Sequence, residues 1–336
     1  MRNPFFIFLI LLLYMVTLAL GQSKTGTTIG QVLKIEPDAR TAALGNAGAS
    51  LSGAAATAFF NPASLGRLKK SSVQFTYSKW LADIQYNFGS AAIRVPSLGT
   101  LLMQVTALNS GEIDVRTVSQ PLGTGERYTV TAFSMGLGIG RMLTDRISVG
   151  MQLNYLRESI WHSSLTDVSL NLGVQYQLSP QGPTMGASIS NFGPQAAYDG
   201  RDLYIDYDFN QAKHGDNDQL PAQLRTEFFP LPTMFRVGFS VPLKFSESNQ
   251  FLMVLDAIHP NDNGESLNIG AEWLLFDNIA LRSGYRNMFL QDAEGGLVLG
   301  AGLRFHLSGY SLHFDYAWAD YGILEQTQRF SLGFGF

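Results

Sequence analysis

The 336-residue sequence contains no cysteine, and only 15% of its residues are charged. The first absence excludes a disulfide-stapled scaffold and thiolate metal centres, and it is compatible with an oxidising compartment. The second falls well short of the roughly 25% Asp, Glu, Lys and Arg of an average soluble chain. Past the extreme N-terminus no apolar run approaches the roughly 20 residues that a spanning helix needs, which excludes a polytopic helical membrane protein. A basic excess is missing too: the formal net charge of -4 leaves no footprint for nucleic acid. What is present excludes disorder, because 46% hydrophobic and 12% aromatic residues far exceed the content of a chain unable to bury a core.

The N-terminus speaks to the compartment. Arg2 precedes an apolar run from Phe5 to Val16, and Ala19-Leu20-Gly21 follows before Gln22. A short apolar stretch with small residues at the -3 and -1 positions is the layout of a secretory signal peptide over residues 1–21. The competing reading, a membrane anchor, requires a longer run.

Beyond residue 70 the dominant signal is alternation with period two, the pleat of a β-strand. Ile147, Val149, Met151, Leu153 and Tyr155 interleave with Ser148, Gly150, Gln152 and Asn154. Tyr310, Leu312, Phe314, Tyr316 and Trp318 repeat the pattern, as do Phe330, Leu332, Phe334 and Phe336. One face is bulky and apolar, and the other is Gly, Ser, Asn and Gln. A secreted β-sandwich or two-sheet solenoid would put charge on its second face. A transmembrane antiparallel β-barrel explains both faces, the large one toward lipid and the small polar one toward a lumen. Trp80, Tyr86, Tyr155, Trp161, Tyr176, Trp273, Tyr285, Tyr310 and Trp318 are then expected as interfacial girdles.

Link lengths test that reading. Six short links, at 96–98, 144–146, 179–182, 246–249, 276–278 and 307–309, alternate with seven longer or more polar ones at 79–83, 119–127, 162–163, 193–232, 260–264, 287–294 and 320–325. That alternation predicts about fourteen strands over residues 71–336. An even number returns both ends to one side, so both termini are expected in the periplasm, with the barrel in a bacterial outer membrane. The final Phe336, closing an alternating aromatic strand, resembles the terminal signal by which such barrels are recognised for assembly.

Residues 22–70 break the pattern. They are crowded with Ala and Gly between Ala39 and Gly66, and they end in Phe59-Phe60-Asn61-Pro62-Ala63. Asn61 before Pro62 is a helix-start signal, Asn capping free N–H groups while Pro presets the first helical φ. Two readings stand: a compact hatch or plug in the lumen, and a linker facing the periplasm. Arg40, an isolated charge among small residues, would need an acidic partner on the inner wall.

At this point a family resemblance becomes visible. Lys34-Ile35-Glu36-Pro37-Asp38-Ala39-Arg40-Thr41-Ala42-Ala43-Leu44-Gly45 and Asn61-Pro62-Ala63 resemble the N-terminal signature of the PorV/PorQ family. The likeness continues through Lys79-Trp80-Leu81-Ala82-Asp83-Ile84, Gly111-Glu112-Ile113-Asp114, Gly123-Thr124-Gly125-Glu126, Leu143-Thr144-Asp145-Arg146, Asn191-Phe192-Gly193-Pro194 and Pro230-Leu231-Pro232. It implies an outer-membrane protein related to the FadL-type long-chain fatty-acid transporters, a fourteen-stranded barrel with an N-terminal hatch. It also implies a part in type IX protein secretion, binding or carrying secreted cargo or meeting proteins of the apparatus.

Nothing in the residues points to catalysis, a cofactor or a metal. The five histidines lack a metal-ligand spacing. Gly136-Leu137-Gly138-Ile139-Gly140 reads as a mid-strand row of small residues rather than a nucleotide loop. The longest link is the candidate extracellular docking loop, with Tyr198, Asp199, Asp202, Tyr204, Asp206, Tyr207 and Asp208, followed by Phe209, Asp216 and Asp218. Its carboxylates are read as solvated charge or as a Ca²⁺ site without EF-hand spacing, and its tyrosines suit protein docking. Two functions follow. The favoured one is cargo carriage through the loops, in contact with outer-membrane lipid. The alternative is FadL-like passive transport of a hydrophobic ligand, which predicts an apolar pocket beneath the loops and a kinked wall strand.

Overall fold

The computed structural model describes residues 24–209, 219–291 and 293–336. The signal peptide and the loop acids Asp216 and Asp218 lie outside the described residues. Fourteen strands follow one another around a closed antiparallel wall: β1 Ser72–Lys79, β2 Gln85–Val95, β3 Gly99–Asn109, β4 Val130–Met142, β5 Ile147–Ile160, β6 Ser163–Gln177 and β7 Thr184–Phe192. Then come β8 Met234–Lys244, β9 Gln250–Pro260, β10 Ser266–Leu275, β11 Ile279–Met288, β12 Leu297–Leu307, β13 Tyr310–Asp320 and β14 Gln326–Gly335. Pairing of β1 with β14, from Ser72 with Gly335 to Lys79 with Gln328, closes the ring. Closure removes the sheet edges that hydrocarbon could not satisfy.

The wall is inverted relative to a soluble protein. On β1, Ser72, Gln74, Thr76 and Ser78 are buried, whereas Val73, Phe75 and Tyr77 are 41%, 56% and 41% exposed. The same inversion recurs on β14, where Phe330, Leu332 and Phe334 face out and Arg329 and Ser331 face in. Apolar-out and polar-in is the arrangement of a barrel whose outer solvent is lipid. Tyr155, Tyr176, Trp273, Tyr285 and Tyr310 stand exposed on this outer face, as expected for girdle aromatics. Tyr86 and Trp80 do not. β2 keeps the register of its neighbours but carries large residues on its inward row, so Tyr86 and Phe88, opposite the buried Ser78 and Thr76, are 0% and 1% exposed and Asn87, Gly89 and Ala91 lie on the outer side. Trp80 packs edge-on to Tyr321 with ring centroids 5.1 Å apart.

Two seams are interrupted. The ladder shifts between Leu170 and Leu172 where β6 meets β7, and between Leu267 and Ile269 where β10 meets β11. Each shift is a β-bulge built on an asparagine with positive φ, Asn191 at 59° and Asn287 at 56°. Each of these residues donates its N–H across the seam to another asparagine side chain, Asn191 to Asn171 Oδ1 and Asn287 to Asn268 Oδ1, both at 2.7 Å.

The N-terminal residues run the length of the lumen. They begin at the end bearing the longer links, where Ile29 N–H donates to the Pro230 carbonyl at 3.1 Å. They leave at the short-turn end, where Arg67 Nη1 donates to Gln177 Oε1 at 2.7 Å. The described chain therefore starts and finishes at opposite ends of the barrel, against the expectation of one shared side. An even strand count places only the start of β1 beside the end of β14; it says nothing of a segment threaded between residue 24 and the wall.

That segment holds a 3₁₀ turn at Gln31–Lys34, the short helix α1 at Ala39–Ala43 capped by Asp38, and 3₁₀ turns at Ala55–Phe59 and Pro62–Arg67. Inward glycines receive its backbone: Gly150 faces the Pro62 carbonyl, Gly186 that of Ala49, and Gly270 that of Leu44. Paired Gly140 and Gly150 sit side by side under Pro62 and Leu65. A methyl group at these positions would collide with main chain, which cannot yield as a flexible side chain can. Gly150→Ala is expected to destabilise the folded barrel by about 1–3 kcal/mol, the usual cost of overpacking. Gly89→Ala, where an added Cβ meets nothing within 4 Å, is expected to be neutral. Thermal unfolding of both variants in detergent checks the pair.

Candidate functional site

The lumen side chains of charged type gather around two carboxylates. Glu36, just after the first 3₁₀ turn, accepts from Arg286 Nη1 at 3.4 Å, from Arg329 and from Asn46. Burial would raise its pKa, but the Arg329 and Arg286 guanidiniums outweigh that and hold it below the usual carboxylate range. Arg286 lies 3.5 Å from the Tyr321 ring centre and Arg329 lies 4.8 Å from that of Trp80, so cation–π contacts finish the cluster. On the wall, Glu272 of β10 receives Arg40 Nε at 2.9 Å, Arg282 Nε at 2.6 Å and Arg304 Nη2 at 3.0 Å. Arg282 also reaches Asp315 at 2.7 Å.

The other two hatch residues sit deeper. Asn61 is fully buried, and its Oδ1 accepts the Ala63 N–H at 3.0 Å, capping the turn that Pro62 begins. Its amide donates to the Ala49 carbonyl at 2.8 Å and to the Val174 carbonyl of β6 at 3.1 Å. Asn61 therefore ties two stretches of the segment to each other and to the wall, a role visible in the sequence only as a cap.

Between the segment and the longer links lies a cavity of about 530 Å³. Val32, Ile35 and Glu36 of the segment, Trp80, Leu108, Val130, Ala132, Met234 and Ile258 of the wall, and Tyr198 and Tyr321 of the links all line it. About half of its lining residues are polar or charged, Lys34, Glu158, Arg236 and Arg286 among them, and a concave site of this size with apolar walls and fixed polar groups can hold a small molecule. Below it the lumen is filled: Gln152 donates to Gln104 at 3.0 Å and to Asn154 at 2.6 Å, and Asn154 donates to Ser169 at 3.2 Å.

The predicted docking loop divides. Tyr198 turns inward and donates to Glu158 Oε2 at 3.1 Å. Asp199 accepts from Gln223 at 2.6 Å. Asp202 clamps the link between β5 and β6, accepting from the His162 backbone N–H at 2.9 Å and meeting His162 Nδ1 at 2.7 Å. Tyr204, Asp206 and Tyr207 remain exposed on a small ladder, Tyr204–Tyr207 against Leu220–Gln223, and Asp208 is half-buried beyond it. Sequence reading missed Trp80, Glu158 and Arg236 as cavity residues. The out-of-place arginine in the inward row Met234, Arg236, Gly238, Ser240 was the signal that could have found the last.

No family model matches the chain, and no curated protein matches it in sequence. Among solved structures, its fold is similar to the Pseudomonas putida toluene transporter TodX, with a TM-score of 0.56 and 11% identity over 90% of this chain and 97% of that one. It is also similar to the Ralstonia pickettii toluene transporter TbuX, with a TM-score of 0.55 and 12% identity over 89% and 97%. A Pseudomonas aeruginosa FadL homologue gives a TM-score of 0.54 and 11% identity over 89% and 98%. At such identity the likeness is one of fold.

The cavity's segment side is held by a latch of its own. Asp262, in the link after β9, accepts from the Thr28 hydroxyl at 2.6 Å, Lys34 Nζ at 2.9 Å and Gln31 Nε2 at 3.1 Å. Burial would raise its pKa, yet these three donors together hold it below the ordinary aspartate value. The latch is therefore complete above the unfolded-state pKa and is lost as pH falls through the lower folded value. Asp262→Asn at neutral pH is expected to cost about 1–2 kcal/mol locally, since hydrogen bonds to a charged group contribute about that much. Hydrogen exchange should show faster exchange at residues 28–35 with the wall unchanged. The unaltered protein should show the same acceleration only in acid.

Proposed function

We propose that this chain is an outer-membrane barrel that admits hydrophobic small molecules, bound first in the cavity at the long-link end. One observation carries the reading: a cavity of about 530 Å³, lined by apolar and polar residues together, sits directly above a lumen packed with the N-terminal segment and a layer of hydrogen-bonded amides. A water-filled pore would leave that lumen open, whereas a binding site for small molecules tolerates no continuous aqueous path beneath it. The fold likeness to toluene transporters and a FadL homologue supports the same function. In this reading residues 1–21 direct export, residues 22–70 form the hatch, and residues 71–336 form the lipid-embedded wall. The bulged seams beside β7 and β11 are where a ligand would leave sideways, because the ladder is interrupted there.

The secretion-linked reading, with cargo or apparatus proteins as partners, rests on the sequence resemblance to the PorV/PorQ family. Its structural support is confined to the exposed Tyr204, Tyr207 and Phe209 at the loop tip.

Deletion of the gene separates the two. Slower uptake of a hydrophobic solute such as toluene with an unchanged surface proteome is the expected result. Unchanged uptake with secreted proteins missing from the surface would overturn it in favour of carriage. Asn263→Trp, at the cavity wall, should lower uptake several-fold without altering the amount of folded barrel.

A further inference from the structure

Six arginines point into the lumen, and five of them touch a carboxylate: Arg40, Arg282 and Arg304 on Glu272, and Arg286 and Arg329 on Glu36. The sixth, Arg236 of β8, is 4% exposed and has no carboxylate within 4.0 Å among the described residues. Its Nη1 donates to Ser190 Oγ at 2.9 Å and its Nη2 meets only the Met234 thioether at 3.3 Å, while Nε has no partner. The acid on the adjacent strand, Asp256, accepts the Ala49 N–H at 2.8 Å through Oδ2 and leaves Oδ1 without a partner, so it stands near Arg236 on the inward face but beyond ion-pair distance. Arg236 lines the cavity. A buried guanidinium whose nearest acids act on it only at a distance is costly, and a contact anion supplied by a ligand would offset that cost.

Around it the lining mixes aromatic rings with aliphatic chains such as Leu108, Met234 and Ile258. The Phe60 ring lies 5.6 Å from the Arg236 Cζ, and Trp80, Tyr198 and Tyr321 complete an aromatic lining. Edge-to-face contacts reward an aromatic ligand at such a site, and the planar fork of a guanidinium matches a carboxylate. We infer that Arg236 is the anion-binding group of the cavity and that its ligand is an aromatic monocarboxylate, the acid group on Arg236 and the ring among Phe60, Trp80, Tyr198 and Tyr321. The inference rests on the proposed uptake of small hydrophobic molecules and assigns a charged head to what is taken up. Ser190 is a positioning residue, holding the guanidinium in place through Nη1.

The test is calorimetric titration of the detergent-solubilised full chain at pH 7 with three probes: benzoate, toluene and palmitate. Benzoate is expected to bind, and Arg236→Met to weaken it at least tenfold while leaving any toluene binding unchanged; Ser190→Ala should weaken benzoate by a smaller factor. Arg236→Met is close in volume, and without ligand it is expected to melt no lower than the parent, because it removes an unpaired buried charge. A lower melting temperature together with undiminished benzoate binding would overturn the role of Arg236. Palmitate binding in place of benzoate would overturn the aromatic class, and toluene binding alone would overturn the anion site while leaving the proposed uptake standing. Binding of none of the three would overturn the uptake reading itself.

Discussion

A wall surrounded by hydrocarbon must satisfy every backbone group internally, and that single requirement orders the rest of the molecule. Closure through β1 and β14 meets it, and the outward row of each strand is then free to be apolar. Polar side chains have only the lumen left to occupy. A barrel of fourteen strands is too wide for its own side chains to fill, so the polar interior needs either water or more protein. Here the protein is the chain's own N-terminal segment, and the wall glycines are shaped to it, being placed where the carbonyls of Leu44, Ala49 and Pro62 come closest. Many of the 34 glycines thus follow from lumen geometry rather than from turns.

Shape alone would let such a segment slide, and charge fixes its register. The exchange is reciprocal: the segment supplies Glu36 to two wall arginines, and the wall supplies Glu272 to the segment's Arg40. Buried pairs of this kind contribute little net stability over an apolar substitute, but removing one partner strands the other in a low-dielectric interior. Loss of Glu36 would leave Arg286 and Arg329 without a carboxylate, so their cost acts against any displaced arrangement of the segment. Asn61 reinforces the position farther along by bridging Ala49 and β6. The network specifies where the segment lies more than how firmly the barrel is folded.

The wall was legible because period-two alternation and link length are local signals. Ile147 to Tyr155 and Phe330 to Phe336 carry their own orientation, and the six short links marked one end of the barrel. Phase within a strand is a different matter when both rows are mixed: Tyr86 reads as an outer-face residue until the lumen's need for bulk against Val32 and Ile35 is known. The candidate loop was misjudged for a related reason. Tyr198 and Asp202 look like free surface groups in sequence, yet each is engaged by a residue about 40 positions away, Glu158 and His162. Such pairings depend on which strands become neighbours, and no local pattern encodes them. Arg40 could be recognised as needing an acid, but Glu272 stands 232 positions along the chain.

The two kinds of contact that hold the segment divide it mechanically. From Glu36 to Arg67 it is enclosed by glycine-lined wall and by buried charge, so displacement there must break main-chain packing and ion pairs together. Residues 28–34 instead meet the links, through Asp262 and the Pro230 carbonyl, and the wall through Glu158 and the packing of Val32 and Leu33 with Tyr86 and Leu156. These contacts lie outside the glycine rows, and the Lys34 pair is partly solvated. Local opening therefore favours the few residues that form one side of the cavity, leaving the rest of the plug in place. Opening confined to that stretch would widen the upper cavity and leave the packed lumen beneath it closed. That separation of a latched stretch from a charge-locked one follows from where carboxylates and glycines were placed, not from any hinge sequence.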